Sequence, residues 1–246
     1  MSKYTIQKLD TEKSDIPQRN AMKDGLIPRF PFSILISGRS GSGKTNLMLN
    51  LMTRSDFYKN YFHYILVFSP TAGEFDDMYK VLKLPKENIL NDFTQDTLEN
   101  LINVRKKLIK AKGITWVAKN SRVLLIMDDI IANRNFLMSE TALKMFALLR
   151  HYLCSVIVLT QSYNKIPRAL RLNVNATFIF PASRSEVEVL LDELCPPHLT
   201  KREFEKVIAY CTEGQYDFLY INNHAKQGER IRKNLDEVVD LNAYKK

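Results

Sequence analysis

The chain has 246 residues, 45% hydrophobic and 26% charged, enough for one large α/β domain with a buried core and too few for a second full domain. Its formal net charge is +9, which suits a polyanionic partner but decides nothing about the fold. The longest apolar runs, such as 123–127, fall far short of the roughly 20 residues of a membrane span, and the first ten residues lack the apolar core of a secretory leader, so a cytoplasmic protein is expected.

Residues 1–31 are polar, carry Pro17, Pro28 and Pro31 and show no sustained periodicity, so they read as an N-terminal arm or irregular lead-in. A single domain is expected from residue 32 to 246, with 182–246 as a helical and strand extension of its core. The apolar run 32–37 predicts a buried strand, and 46–52 has a helical pattern. Between them stands Gly38-Arg39-Ser40-Gly41-Ser42-Gly43-Lys44-Thr45, which matches the phosphate-binding pattern G-x-x-x-x-G-K-[ST] in the required strand-to-helix context. The glycines let the backbone curl so that its N–H groups face phosphate oxygens, and the helix N-terminus adds a favourable dipole. Lys44 would bridge the β- and γ-phosphates of ATP, and the Thr45 hydroxyl would ligate Mg²⁺. A chance glycine-rich turn is the competing explanation.

A second strand is predicted over 64–69. After it, Asp96 and Glu99 mark a capped helix that carries Leu98, Leu101, Ile102, Leu108 and Ile109 and stops near Gly113. From Leu101 to Met127 the sequence has Arg105, Lys106, Lys107, Lys110, Lys112, Lys119 and Arg122 and no acidic residue. Such a run is a solvated helix face or a nucleic-acid contact, with Arg105, Lys106, Lys107 and Lys110 as candidate DNA-binding residues. The strand predicted over 123–127 delivers Asp128 and Asp129 to its end, a Walker B pattern. Asp128 would hold magnesium through water, and Asp129 would act as general base toward the attacking water; alternatively the pair caps a turn.

Ser139 is expected to cap a helix that carries Leu143, Phe146 and Leu149 and ends near His151. Arg150 there is a candidate arginine finger for a neighbouring subunit's nucleotide, or a cation that stabilises the helix end; Arg134, Arg168 and Arg171 are the other candidates. Cys154, Cys195 and Cys211 lack C-x-x-C spacing and the four histidines are scattered, so reduced thiols are expected, without a disulfide framework or a zinc site. The apolar strand predicted over 155–160 ends in Gln161, whose amide can hydrogen-bond the γ-phosphate and the lytic water, or cap the strand exit. A strand over 176–180 follows. Ser185 with Glu188 then opens a helix ended by Pro196 and Pro197, Thr200 with Glu203 opens the next, and a last strand is placed over 216–221. Continuous apolar strands alternating with helices predict a mainly parallel, doubly wound α/β fold whose ligands sit at the carboxyl ends of the strands.

The stretches ILISGRSGSGKTNLMLNLM, YILVFSPT, VLLIMDD and LLRHYLCSVIVLTQSYNKIPRALRLNVNATFIF together resemble the genome-packaging ATPases of large eukaryotic DNA viruses and their virophages, in the FtsK-HerA superfamily. The resemblance covers roughly residues 30 to 235, and the stretch from Arg150 to Arg171 is more specific than either Walker motif. It implies a RecA-like P-loop core of the ASCE type, assembled as a pentameric or hexameric ring. ATP hydrolysis with Mg²⁺ would drive double-stranded DNA into a preformed capsid, with a capsid vertex or membrane-associated capsid protein as a further partner, in the viral factory of the host cytoplasm and in the virion. It also implies that Arg150 acts as a trans finger. Asp129 stands where many relatives of the wider superfamily have Glu.

A P-loop kinase is the first rival, though it would need an arginine-rich lid and no Gln161. A nucleotide-ordered DNA-binding or capsid-docking module without motor activity is the second, and it would need neither Asp129 nor Gln161. A GTPase is disfavoured because no N-K-x-D element appears.

Overall fold

The computed structural model describes residues 16–70, 77–91, 93–129, 134–137, 139 and 148–245. Its centre is a nine-stranded sheet in the order β3-β2-β4-β5-β1-β6-β7-β8-β9. These strands are β1 (Ser33–Ser37), β2 (Tyr64–Phe68), β3 (Ile89–Leu90), β4 (Val123–Asp128), β5 (Cys154–Thr160), β6 (Ala176–Ile179), β7 (Leu219–Asn222), β8 (Ile231–Lys233) and β9 (Glu237–Val238). From β3 to β6 every neighbour is parallel, whereas β7, β8 and β9 add on antiparallel.

The five parallel strands read from the sequence are all present; β1, β4, β5 and β6 are buried on both faces and so lack polar alternation, whereas β2 is buried only at its carboxyl end. In β4, Val123, Leu125 and Met127 point into one core and Leu124 and Ile126 into the other; β5 divides Val156 and Val158 from Ile157 and Leu159 in the same way. The helices are α1 (Asn20–Lys23), α2 (Lys44–Thr53), α3 (Gln95–Lys112), α4 (Ile114–Asn120), α5 (Arg134–Leu137), α6 (Arg168–Arg171), α7 (Arg184–Leu194) and α8 (Lys201–Cys211). Leu98 of α3, Leu190 of α7 and Phe204, Val207 and Ile208 of α8 cover the first face. Leu47, Met48 and Leu51 of α2 cover the second.

Residues 16–31, within the stretch the sequence marks as an arm or lead-in, are irregular apart from α1 but pack into the second core through Met22, Ile27 and Phe30. Buried tyrosines tie this strap down: Tyr58 donates to the Pro28 carbonyl at 2.8 Å, Tyr61 to Pro17 at 2.7 Å and Tyr220 to Leu26 at 2.7 Å.

Several local expectations need correction. Thr94, not Asp96, caps α3, accepting from the Thr97 N–H. Ser183 with Glu186, not Ser185 with Glu188, forms the capping box of α7. Thr200 with Glu203 does form that of α8. The strand placed over 216–221 begins only at Leu219, and the β8–β9 hairpin has no counterpart among the expected elements, since strands of three and two residues leave no period to detect. The helix expected after Ser139 falls largely on 140–147, outside the described residues; Leu149–Tyr152 at its expected end is a 3-10 turn.

Candidate functional site

The carboxyl ends of β1, β4 and β5 lie side by side, with Ser37 opposite Thr160 and Asp128 opposite Leu159. Past β1 the chain turns sharply. Gly38 donates its N–H to the Thr160 carbonyl at 3.1 Å, and a Cβ at Gly38 would stand 2.6 Å from Phe180 Cβ, so a side chain there would force the loop off the sheet. Gly41 (φ +74°) and Gly43 (φ +100°) occupy the left-handed region that glycine enters without steric cost, and α2 starts directly from Gly43. Lys44, only 9% exposed, donates from Nζ to the Arg39 carbonyl at 2.9 Å, so its ammonium lies over the loop. Burial lowers its pKa, and the carboxylates of Asp128 and Asp129 counter that shift. The loop, the ammonium and both acidic residues therefore share one electrostatic neighbourhood.

Among the described residues, Ser42 Oγ is buried in this loop without a hydrogen-bond partner. A buried hydroxyl of that kind is rare unless a ligand completes it. Together with the Lys44 ammonium, it fits a phosphate. The half-buried Thr45 hydroxyl at the start of α2 and the Asp128 carboxylate are hard oxygen donors of the sort Mg²⁺ takes alongside substrate phosphates. The residues present thus fit Mg²⁺ held by Thr45 and Asp128.

Asp128 Oδ2 accepts from the Tyr79 hydroxyl at 2.6 Å, and no motif in the sequence points to that contact. Asp129 is left-handed, at φ +51°, and its N–H donates to the Leu159 carbonyl at 3.2 Å. That bend turns its side chain across to the next strand, where Oδ2 accepts from Gln161 Nε2 at 3.0 Å. A non-glycine residue held there costs of order 1 kcal/mol, and such strain gathers at functional sites. Two residues 32 positions apart, each singled out as the polar end of an apolar strand, are thus brought into contact.

The segment after Gln161 is held from three sides. Glu186 accepts from the Tyr163 N–H at 2.8 Å, and Glu193 accepts from the Tyr163 hydroxyl at 3.2 Å. Arg171 donates from Nε to Glu193 Oε2 at 2.9 Å and from Nη1 to the carbonyls of Asn164 and Ile166. Arg171 is therefore a buried structural cation, which removes it from the finger candidates. Arg168 is exposed and lies 3.5 Å from Glu193, and the side chain of Arg134 lies outside the described residues.

Arg150 sits in the turn before β5, at the amino edge of the sheet, lining a cavity of about 440 Å³ with Arg29, Asn175 and His224. The loop of residues 38–45 stands at the opposite edge. β5 alone, from Cys154 to Thr160, separates the two by roughly 20 Å.

The basic stretch divides. Arg105 is 2% exposed and spends its guanidinium on the Tyr152 and Leu153 carbonyls and on Ser121 Oγ, which corrects its assignment as a DNA contact. Arg122 is buried likewise, on the carbonyls of Tyr61, Ala118 and Lys119. Lys106, Lys107 and Lys110 of α3 remain exposed, as do Lys112 and Lys119.

Residues 21–236 match the family described as Poxvirus A32 protein. Among curated proteins, the DNA packaging protein OPG160 of Variola virus is 30% identical over 176 residues, 71% of this chain and 62% of that protein, so the chain spans less than two thirds of its length. The uncharacterized protein 088R of Invertebrate iridescent virus 3 is 27% identical over 192 residues, 77% of this chain and 69% of that protein. Among solved structures, the genome packaging NTPase B204 from Sulfolobus turreted icosahedral virus 2 in complex with ATP-gammaS superposes with a TM-score of 0.56 at 16% identity, over 82% of this chain and 96% of that one, a likeness of fold.

Proposed function

The chain belongs to the Poxvirus A32 protein family, and on that premise we propose that it is an ATPase that drives double-stranded DNA into a preformed capsid. The observation that carries this reading is the Asp129–Gln161 hydrogen bond beside the glycine-rich loop. A protein that only bound nucleotide would need Lys44 and Thr45 but neither of these. The packaging protein of Variola virus supports DNA as the cargo. The exposed lysines of α3 support a polyanion contact whose affinity would fall steeply with salt.

Within this reading the loop N–H groups and Lys44 bind and orient the triphosphate, so that little covalent chemistry is left to the protein. Thr45, and Asp128 through water, would hold Mg²⁺, which would supply charge neutralisation on the phosphates. Asp129 takes the proton of the attacking water, and Gln161, already bonded to Asp129, orients that water and senses the γ-phosphate. Arg150 belongs to the neighbour's site, which calls for a closed ring, pentameric or hexameric. A capsid vertex or a membrane-associated capsid protein is its docking partner, in the viral factory of the host cytoplasm and in the virion.

The test is ATP turnover with and without duplex DNA in wild type and Asp129→Asn. Wild type should hydrolyse ATP faster with DNA, and Asp129→Asn should lose turnover by about 10²–10⁴-fold, the usual contribution of a positioned base, while still binding ATP. Equal turnover in the two proteins would remove Asp129 from the reaction.

A further inference from the structure

A second cavity, of about 470 Å³, adjoins the phosphate loop and is lined by Gly43, Leu47, Phe180, Tyr216, Phe218 and Leu235, with Asn46, Asn50 and the cationic Arg54 as polar groups. Its volume and its mainly apolar lining with a few polar groups are those of a small-ligand site. One side chain stands out. Tyr216 is 61% exposed, yet its ring lies against the loop: a Cβ at Gly43 would be 3.5 Å from Tyr216 Cδ1.

The exposure is not that of a loose loop. Directly after Tyr216, Asp217 accepts from Asn234 Nδ2 at 3.0 Å and lies 3.5 Å from Lys233 Nζ, and the Phe218 N–H donates to Asn234 Oδ1 at 3.1 Å. On the near side, the Asp217 N–H closes a turn onto the Gly214 carbonyl at 3.2 Å. The backbone is thus fixed on both sides of an aromatic ring that is presented to solvent. Gly43 and the first turn of α2 border both the phosphate loop and this cavity. A ligand whose phosphates lie on residues 38–45 therefore reaches the cavity with whatever the phosphates carry.

We propose that this cavity receives the base of the nucleotide, with the Tyr216 ring as the platform on which the base stacks. The inference rests on the reading of residues 38–45 as the triphosphate site and adds the group that holds the other end of the same ligand. Stacking on a rigid aromatic ring is tolerant of base identity, because every base offers a π-face. Phe180 and Phe218 supply the apolar wall.

The experiment measures equilibrium binding of Mg-ATP and of Mg-tripolyphosphate, the same phosphates without a nucleoside, to the full chain in wild type, Tyr216→Ala and Tyr216→Phe. Tyr216→Ala should weaken ATP about 5- to 100-fold, the range for loss of one base–aromatic stack. It should leave tripolyphosphate binding unchanged, and that unchanged binding also reports an intact loop. Tyr216→Phe should keep the ATP affinity. Unaltered ATP binding by Tyr216→Ala overturns the proposal, and so does an equal loss for both ligands, since the ring would then act on the loop. Wild type that binds neither ligand overturns the triphosphate reading itself, and with it this one.

Discussion

Tyr79 reaches Asp128 across 49 positions of sequence, from a 3-10 turn (Asp77–Leu82) that contains none of the motif residues. No local spacing could have announced it. Asp128 and Asp129 were legible because an apolar strand that ends in two carboxylates is a local pattern, but what steers each carboxylate depends on tertiary contacts. For Asp129 it is the left-handed bend and Gln161; for Asp128 it is a buried phenol that donates to Oδ2. Outer groups of this kind fix the orientation of a metal ligand, and their loss typically lowers metal affinity by about 10- to 100-fold. Tyr79→Phe removes the hydroxyl and keeps the ring. It should raise the Mg²⁺ concentration needed for half-maximal ATP binding about 10-fold, as read by a magnesium titration at fixed nucleotide. An unchanged magnesium requirement would reduce Tyr79 to core packing.

At the scale of elements, α7 shows how sequence alone misplaces a helix start. The run Ser183-Arg184-Ser185-Glu186-Val187-Glu188 offers two capping boxes. The one that forms puts Glu186 where it also accepts the Tyr163 N–H from the segment behind Gln161. One turn and more further on, Glu193 pairs with Arg171. Burial alone would raise the Glu193 carboxyl, but the hydrogen bonds and charge of Arg171, with Tyr163 and Arg168 assisting, hold it below its ordinary 4.5. A depressed carboxyl contributes stability that is present above pH 4.5 and is lost as pH falls through its folded value. Arg171→Leu leaves that buried carboxylate with only the exposed Arg168 and the Tyr163 hydroxyl as partners, and should cost about 3 kcal/mol in urea unfolding at neutral pH. The deficit should shrink as pH is lowered below 4.5 and Glu193 takes up a proton; a deficit that is constant with pH would mean that the pair is not what the substitution breaks. Helix α3 separates in the same manner, because its inward Arg105 and outward lysines look alike in a charge count. Lys106→Glu with Lys107→Glu should weaken duplex binding and flatten its salt dependence, by about one unit of slope for each phosphate that the lysines neutralise in wild type. Arg105→Ala should lower thermal stability and leave that slope alone. The reverse assignment of effects would restore Arg105 to the interface and return the lysines to a solvated face.

For the whole molecule, strand direction decides what one chain can do by itself. All six strands from β3 to β6 run the same way, so the loops that follow them, with Lys44, Asp129 and Gln161, gather at one edge, while Arg150 precedes β5 at the other. Among the described residues no carboxylate pairs with Arg150, and its surroundings are themselves cationic. His224, in the same cavity, is pushed down in pKa by burial and by the charges of Arg150 and Arg230. A cation so placed lacks an anion among the described residues of its own chain and lies too far from its own phosphates to serve them. In a closed ring, a heterologous contact sets one surface of each subunit against a different surface of the next, and the arginine can then meet the neighbour's γ-phosphate. Arg150→Ala and Lys44→Ala should each abolish hydrolysis, losing about 10³-fold or more for the finger. Mixed before assembly, the two inactive proteins should regain part of the wild-type rate. Where an Arg150→Ala subunit offers its intact Lys44 to the intact Arg150 of a Lys44→Ala neighbour, one complete site forms from two incomplete chains. A mixture as inactive as its components, at concentrations where sizing shows mixed rings, would place the function of Arg150 within its own subunit, at the amino edge of the sheet.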